Sequence, residues 1–467
     1  MPNVAGRHAA RSGAWALAVV ILVAAAGGGA YLGTWEWRQH HPGPQPKPTT
    51  KAPAAALAAA SVSLPRVTRT PAPIPGVTAL ASALHAPLAD PRLGARTLVE
   101  VRDASTGAVL LDHGGSTPAA PASTAKLATA LAVLTVHKAT DRITTRVVSG
   151  AEPGTAVLVG GGDPTLTAAP ADHDGAYADA ARMAALARQL PAAAINRIVV
   201  DGSLYAGAAV SPFWAPEDVP SDYAAPITAI MVDGGRAHPD ATIRSTAPDL
   251  AAGRALAAAL GKPDLPVSRG SAPPDAPVLG SVRSAPIGTL VAQMLATSDN
   301  VIAESLARQV ALAEQRAATF AGAASAIRKV VRGLGVDIGS GMRDGSGLAA
   351  TDRLSPETLT RLLRLATRPS RPGLHDVIGD LPVAGWSGTL AGRYTRGTAK
   401  GGAGLVRAKT GTLTSVSALA GVAHDTAGRL LVFAVIADRI GAHAKDTAAA
   451  EAAIDRVAAT LARCGCR

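Results

Sequence analysis

The chain has 467 residues, of which 48% are apolar but only 3% aromatic, so its core must be built from Ala, Val, Leu and Ile. That length accommodates two or three domains. A net charge of +11 fits attraction to an anionic surface or an arginine-rich proteome. No Lys/Arg run is interleaved with aromatics, which argues against a nucleic-acid partner. The eleven histidines are scattered and no His-Glu-x-x-His occurs, so the sequence offers no metal site and calls for no cofactor.

In chain order, residues 1–12 read as a cytoplasmic tail. Residues 13–34 are almost wholly apolar, follow Arg7 and Arg11, and precede Trp35 and Trp37. They predict a single transmembrane anchor or a cleaved signal segment, both of which place the rest of the chain outside the cytoplasm. Residues 35–77 are rich in Pro, Ala and Thr and read as an extended tether. Folded sequence is expected from residue 78, with strands at 97–102 and 108–112 and a helix over 123–136. Residues 145–282 differ in character, with short strands at 156–159 and 197–201 and a helical piece over 175–190. They read as an inserted domain. Helices are expected at 286–297 and 300–313. A strand follows at 404–409, then a hairpin of 417–423 with 429–437, and a closing helix over 445–462. The fold class is therefore α+β: an antiparallel sheet flanked by helices, formed by 78–144 and 283–463 and interrupted by the insertion. Residues 464–467 form a tail. A bridge between Cys464 and Cys466 would close a strained ring, which favours intermolecular pairing or idle thiols.

Three short motifs stand in one order: Ser123-Thr-Ala-Lys126, Ser298-Asp-Asn300 and Lys409-Thr-Gly411. Lysine is scarce, with nine in the chain, and two fill motif positions. Ser123 opens an apolar helical run, where an outward backbone N–H suits an oxyanion. Lys126 lies one turn on, on the same face. A serine hydroxyl needs a base, and a lysine of lowered pKa can serve. Alone, each motif is matched by an ordinary helix cap or turn; the order of all three is what carries information.

The combination resembles the penicillin-recognising serine enzymes, and most closely the penicillin-binding protein 4-type D-alanyl-D-alanine carboxypeptidases and endopeptidases. Further matches are Gly160-Gly-Gly-Asp-Pro-Thr-Leu166, Arg343-Asp-Gly-Ser-Gly-Leu348, and Ser387-Gly-Thr-Leu390 ahead of Ala408-Lys-Thr-Gly-Thr-Leu413. The resemblance covers roughly residues 80 to 463 and implies a transpeptidase/β-lactamase-like domain carrying an insertion. It implies that Ser123 attacks a peptidoglycan stem peptide between two D-alanines and is acylated by β-lactam antibiotics, which act as inhibitors. Ser298 would relay a proton, Asn300 would orient Lys126, and Asp299 would point away. Lys409, Thr410 and Thr412 would meet the substrate carboxylate, with Thr412 adding a second oxyanion N–H. Gly411 would let the substrate lie along the strand. The other two runs are expected to be glycine-rich turns, with Ser346 and Leu348 at the pocket rim. Trp214, Tyr223 and Trp386 are candidate wall contacts or core residues. Two other readings stand beside this one. A β-lactamase would need a shorter gap than the 172 residues from Lys126 to Ser298, and a glutamate-activated water. A non-catalytic wall sensor would not need all the reactive residues intact.

Overall fold

The computed structural model describes residues 72–170 and 172–467. The predicted tail and apolar segment, and all but the end of the tether, lie outside the described residues.

The first folded element is helix α1 (Val77–Leu88), whose Leu80 and Leu84, four apart, form its buried stripe. Strands β1 (Thr97–Asp103) and β2 (Val109–His113) follow. A 3-10 turn over Ala122–Ala125 leads into α2 (Lys126–Val136). The helix predicted from residue 123 thus opens one tight turn late.

The insertion begins with β3 (Arg142–Ser149) and β4 (Thr155–Val159), then α3 (Met183–Ala187), β5 (Arg197–Asp201), α4 (Pro248–Ala259), β6 (Val267–Arg269) and β7 (Val278–Pro286). Its sheet has the order β6-β5-β4-β3-β7 and is mixed: β4, β5 and β6 run parallel, and β3 pairs antiparallel with β4 and β7. The helix predicted over 175–190 shrinks to α3 because Asp179 sits at φ 55, left-handed backbone that a right-handed helix cannot contain. Entry and exit are tied: the Ile287 and Gly288 amides donate to the carbonyls of Asp141 and Ala139 at 2.8 and 2.9 Å.

The chain then forms α5 (Ile287–Thr297), α6 (Asn300–Ala313), α7 (Phe320–Gly333), α8 (Pro356–Ala366) and α9 (Asp376–Gly379). Strands β8 (Val406–Leu413), β9 (Val416–His424) and β10 (Leu430–Ala437) and helix α10 (Ala444–Arg463) complete it. The first sheet has the order β2-β1-β10-β9-β8 and is antiparallel throughout.

Both faces of that sheet are covered, which is why β9 is buried at every position but its last. One face packs Val99, Val101, Phe433 and Val435 against Leu80 of α1 and Ile454 and Val457 of α10. The other packs Val432, Ala434 and Ile436 against α2, α5, α6 and α8 through Leu127, Leu290, Ile302 and Leu359. The product is a helix–sheet–helix sandwich, interrupted between α2 and α5 by the insertion, as the α+β expectation required.

Two expectations need correction. The strand predicted at 404–409 runs on to Leu413, so Lys409-Thr-Gly lies mid-strand and not at its end. Cys464 and Cys466, expected to be idle or paired between molecules, are bridged to each other with Cα atoms 5.0 Å apart, within the span a disulfide accepts.

Candidate active site

The site forms where α2, the α5–α6 junction and β8 converge. Ser123 sits in the 3-10 turn, next to Ala122 at φ 46. Left-handed backbone costs a non-glycine residue about 1–2 kcal/mol, so the surroundings must enforce it. Gly347 packs there so closely that a Cβ on it would lie 2.0 Å from the Ala122 carbonyl oxygen. One turn on, the Lys126 ammonium donates to Ser123 Oγ at 2.8 Å, Asn300 Oδ1 at 2.6 Å and the Ser346 carbonyl at 2.8 Å.

The second motif is a helix break. Ser298 ends α5 at φ 63, ψ 26, and Asp299 caps α6 by accepting the amides of Val301 and Ile302. Asn300, the first residue of α6, donates through Nδ2 to the Tyr223 carbonyl at 3.2 Å. The Ser298 hydroxyl joins none of the bonds linking Ser123, Lys126 and Asn300. Asp299 does turn from the lysine, but toward Tyr177 and Arg244 of the insertion.

The third motif lies on edge strand β8. Pro382 and Ala384 pair with the outer side of Ala408 and Val406. Because strand backbones alternate, the amides and carbonyls of Thr410 and Thr412 face outward too, away from β9. Lys409 and Gly411 share the other register, and a Cβ on Gly411 would lie 2.7 Å from the Pro121 carbonyl and 3.2 Å from the Ser123 amide nitrogen. Its missing side chain is therefore what lets β8 close on the serine turn. Thr410 Oγ1 donates to Thr389 Oγ1 at 2.9 Å and Thr412 Oγ1 to Glu451 Oε1 at 3.0 Å. Lys409 is fully buried and donates to the Thr410 carbonyl at 3.1 Å.

Burial pushes Lys126 down to about 8, while the carboxylates of Asp344, Asp299, Glu304 and Asp352 oppose the fall. Burial, and then the charge of Lys126, push Lys409 well below the ordinary lysine range. Beneath the site, burial followed by Asp344 raises Glu304 to about 7 and Asp352 to about 10.

A serine whose hydroxyl touches a dry, easily deprotonated lysine, beside an open strand edge, is equipped for acyl transfer. A family model for the D-Ala-D-Ala carboxypeptidase 3 (S13) family matches residues 80–246 and 236–461. The chain belongs to this family. Carboxypeptidase DacB of Mycolicibacterium smegmatis is 42% identical over 403 residues, spanning 85% of this chain and 86% of that one. A D-alanyl-D-alanine carboxypeptidase of Actinomadura is 30% identical over 76% of this chain and 80% of its own. Among solved structures, penicillin binding protein 4 (dacB) of Haemophilus influenzae matches with a TM-score of 0.67 at 21% identity, over 82% of this chain and 98% of that one, a likeness of fold.

For this S13 family member, the Arg343–Leu348 run is more than a rim turn. Asp344 accepts the amides of Ser346, Gly347 and Ala349 and the Trp214 indole N–H at 2.7 Å. Glu304 accepts the amides of Gly345 and Ser346 at 2.9 and 2.8 Å. The clamped loop aims the Ser346 carbonyl at Lys126, and Ser346 and Leu348 are buried. Gly160–Leu166 is a turn packed on α6, where Gln309 donates to the Gly161 carbonyl at 2.9 Å. Of the three aromatics singled out, Trp214 is buried, Tyr223 half exposed and Trp386 78% exposed. The sequence does not show the Ser346 and Tyr223 carbonyls, since a main-chain acceptor carries no residue signature, nor Glu304, whose carboxylate meets its partners 41 and 42 residues on.

Proposed function

We propose that this serine-type D-Ala-D-Ala carboxypeptidase works through Ser123 as nucleophile and Lys126 as base. The observation that carries the reading is the 2.8 Å contact from Lys126 Nζ to Ser123 Oγ by a fully buried lysine. Neutral Lys126 takes the hydroxyl proton, and Oγ attacks the carbonyl carbon of the penultimate D-alanine. The oxyanion is held by the amides of Ser123 and Thr412. Collapse breaks the C–N bond, and the departing amine takes the proton from Lys126 by way of Ser298. Water then attacks the ester, returns a proton to Oγ and frees the stem peptide. Asn300 keeps Lys126 aimed. Lys409, Thr410 and Thr412 meet the terminal carboxylate, whose arrival restores the charge that burial disfavours on Lys409. Gly411 lets the strand sit against the nucleophile.

Cleavage of a peptidoglycan cross-link is the same chemistry with a larger leaving amine. A β-lactam ring is opened by the same attack, but its amine stays attached to the acyl group and blocks the water. Among the described residues no helix is long and apolar enough to cross a membrane. We assign residues 13–34 as the segment that anchors or exports the enzyme, with 35–77 holding it off the membrane toward the wall.

The test is intact-protein mass after incubation with benzylpenicillin. A stable adduct of the whole antibiotic is expected, absent from Ser123→Ala. An adduct that persists in the variant, or rapid antibiotic loss without an adduct, would sink the reading.

A further inference from the structure

Asp299 stands between the two second-motif residues assigned to chemistry, and the groups that grip it come from the insertion. Tyr177 donates its hydroxyl to Asp299 Oδ2 at 2.8 Å, Arg244 Nη2 lies 3.2 Å from the same oxygen, and Arg236 Nη2 lies 3.8 Å away. Arg236 also donates to the Tyr177 hydroxyl at 3.0 Å. Arg244 does a second thing: it donates to the carbonyls of Gly234 at 2.9 Å and Asp222 at 3.3 Å. The residue after Asp222 is Tyr223, whose carbonyl receives Asn300 Nδ2. One buried guanidinium thus fixes both the motif that carries Asn300 and the loop that accepts from it.

We propose that Arg244, supported by Tyr177 and Arg236, is a positioning residue through which the insertion holds Ser298-Asp299-Asn300 in working geometry. This makes the insertion part of the catalytic apparatus, and it rests on the reading of Ser123 and Lys126 given above. Three features support it. Ser298 sits in left-handed backbone at φ 63, a conformation that its neighbours must impose. Asn300 reaches Lys126 from the very start of α6, where a small rotation of the helix end would withdraw it. Asp299 is buried and charged: burial alone would raise its carboxyl, yet Arg244 and Arg236 outweigh that and hold it well below the usual range.

The electrostatics give a readout that simple destabilisation would not move. Around Lys126 stand Ser123, Lys409, Asn300, the carboxylates of Asp344, Glu304, Asp352 and Asp299, and Arg308, which pairs with Glu304. Removing Arg244 leaves Asp299 less neutralised, which favours protonated Lys126. Removing the charge of Asp299 does the opposite.

The experiment measures the rate of acylation by benzylpenicillin against pH on the full chain, with thermal unfolding as the check on folding. Arg244→Gln is expected to slow acylation by about 10- to 100-fold and to move the rising limb to higher pH. Asp299→Asn should move that limb to lower pH. Arg244→Lys keeps the charge but not the fork, so it should slow the reaction while leaving the limb in place. If the Arg244 variants do not fold, Tyr177→Phe deletes a single hydroxyl and should slow acylation a few-fold. A folded Arg244→Gln with an unmoved limb, or Tyr177→Phe acylating at the wild-type rate where it must stand in, overturns the proposal. Absence of any Ser123 adduct in the wild type would overturn the acyl-enzyme reading instead.

Discussion

As the proposed base, Lys126 must be neutral to accept a proton and charged to return one, and its surroundings set where the balance falls. Burial lowers it to about 8 against the opposing pull of nearby acidic groups, Asp344 first. The neutral form, which is the base, dominates above that value and is lost as pH falls through it. The acylation rate should therefore rise with pH, with a midpoint near 8, and flatten beyond it. A stopped-flow series between pH 6 and 10 checks this; a limb near the ordinary lysine value of 10.5 would mean that the burial is not felt in solution. At this scale the motif side chains were legible in the sequence, but the Glu304 carboxylate under the Ser346 loop was not. Ser123, Lys126 and Asn300 converge although Asn300 is 174 residues from Lys126. It was silent where the partner is main chain, as for the Ser346 carbonyl. It was silent again where a charge finds its partner in another module, as Asp299 does with Arg244.

At the scale of elements, the close approach of β8 to the serine turn depends on a position without a side chain. A Cβ on Gly411 would meet the Pro121 carbonyl at 2.7 Å and the Ala122 Cβ at 3.1 Å, both belonging to packed backbone or core. Gly411→Ala should therefore push β8 outward, cost about 1–3 kcal/mol of stability, and slow acylation by displacing the Thr412 amide proposed as an oxyanion donor. Thermal melts and acylation rates on the same preparation test both effects; a variant acylating at the wild-type rate would show that the amide does not serve. The length of β8 was misread because Lys-Thr-Gly looks like the polar end of a strand. Its true extent follows from pairing with Val416–Leu419 across β9, a non-local fact. The strands β1, β9 and β10 were legible for the opposite reason: alternation in β1 and apolar runs in β9 and β10 announce strands locally. The short α3 was not, because alanine-rich sequence favours helix locally while Asp179 turns the backbone left-handed.

At the scale of the molecule, the two ends of the described chain close on one face of the first sheet. The Gly76 amide donates to the Cys466 carbonyl at 2.9 Å, and Arg456 of α10 pairs with Asp90 just after α1. Arg429, entering β10, pairs with Asp103 at the end of β1 and donates to the Ala72 carbonyl at 3.0 Å. Lys126 and Asn300 lie on the far side of that sheet from α1, on α2 and α6, and β8 is its edge strand, yet all share its hydrophobic layers. The catalytic geometry should therefore persist only as long as the whole sandwich does. Leu80, fully buried where α1 meets α10, is remote from Ser123 in the layers and makes the cleanest test. Leu80→Ala should cost about 2–5 kcal/mol and leave the acylation rate of the folded protein unchanged. In a urea series, far-ultraviolet circular dichroism and competence for benzylpenicillin labelling should lose signal at one shared midpoint. That midpoint should move down by the same amount for both probes in the variant. Labelling that fails at lower urea than the dichroism would mean that the site opens before the sandwich, with the insertion or the edge strand β8 as the part that lets go first.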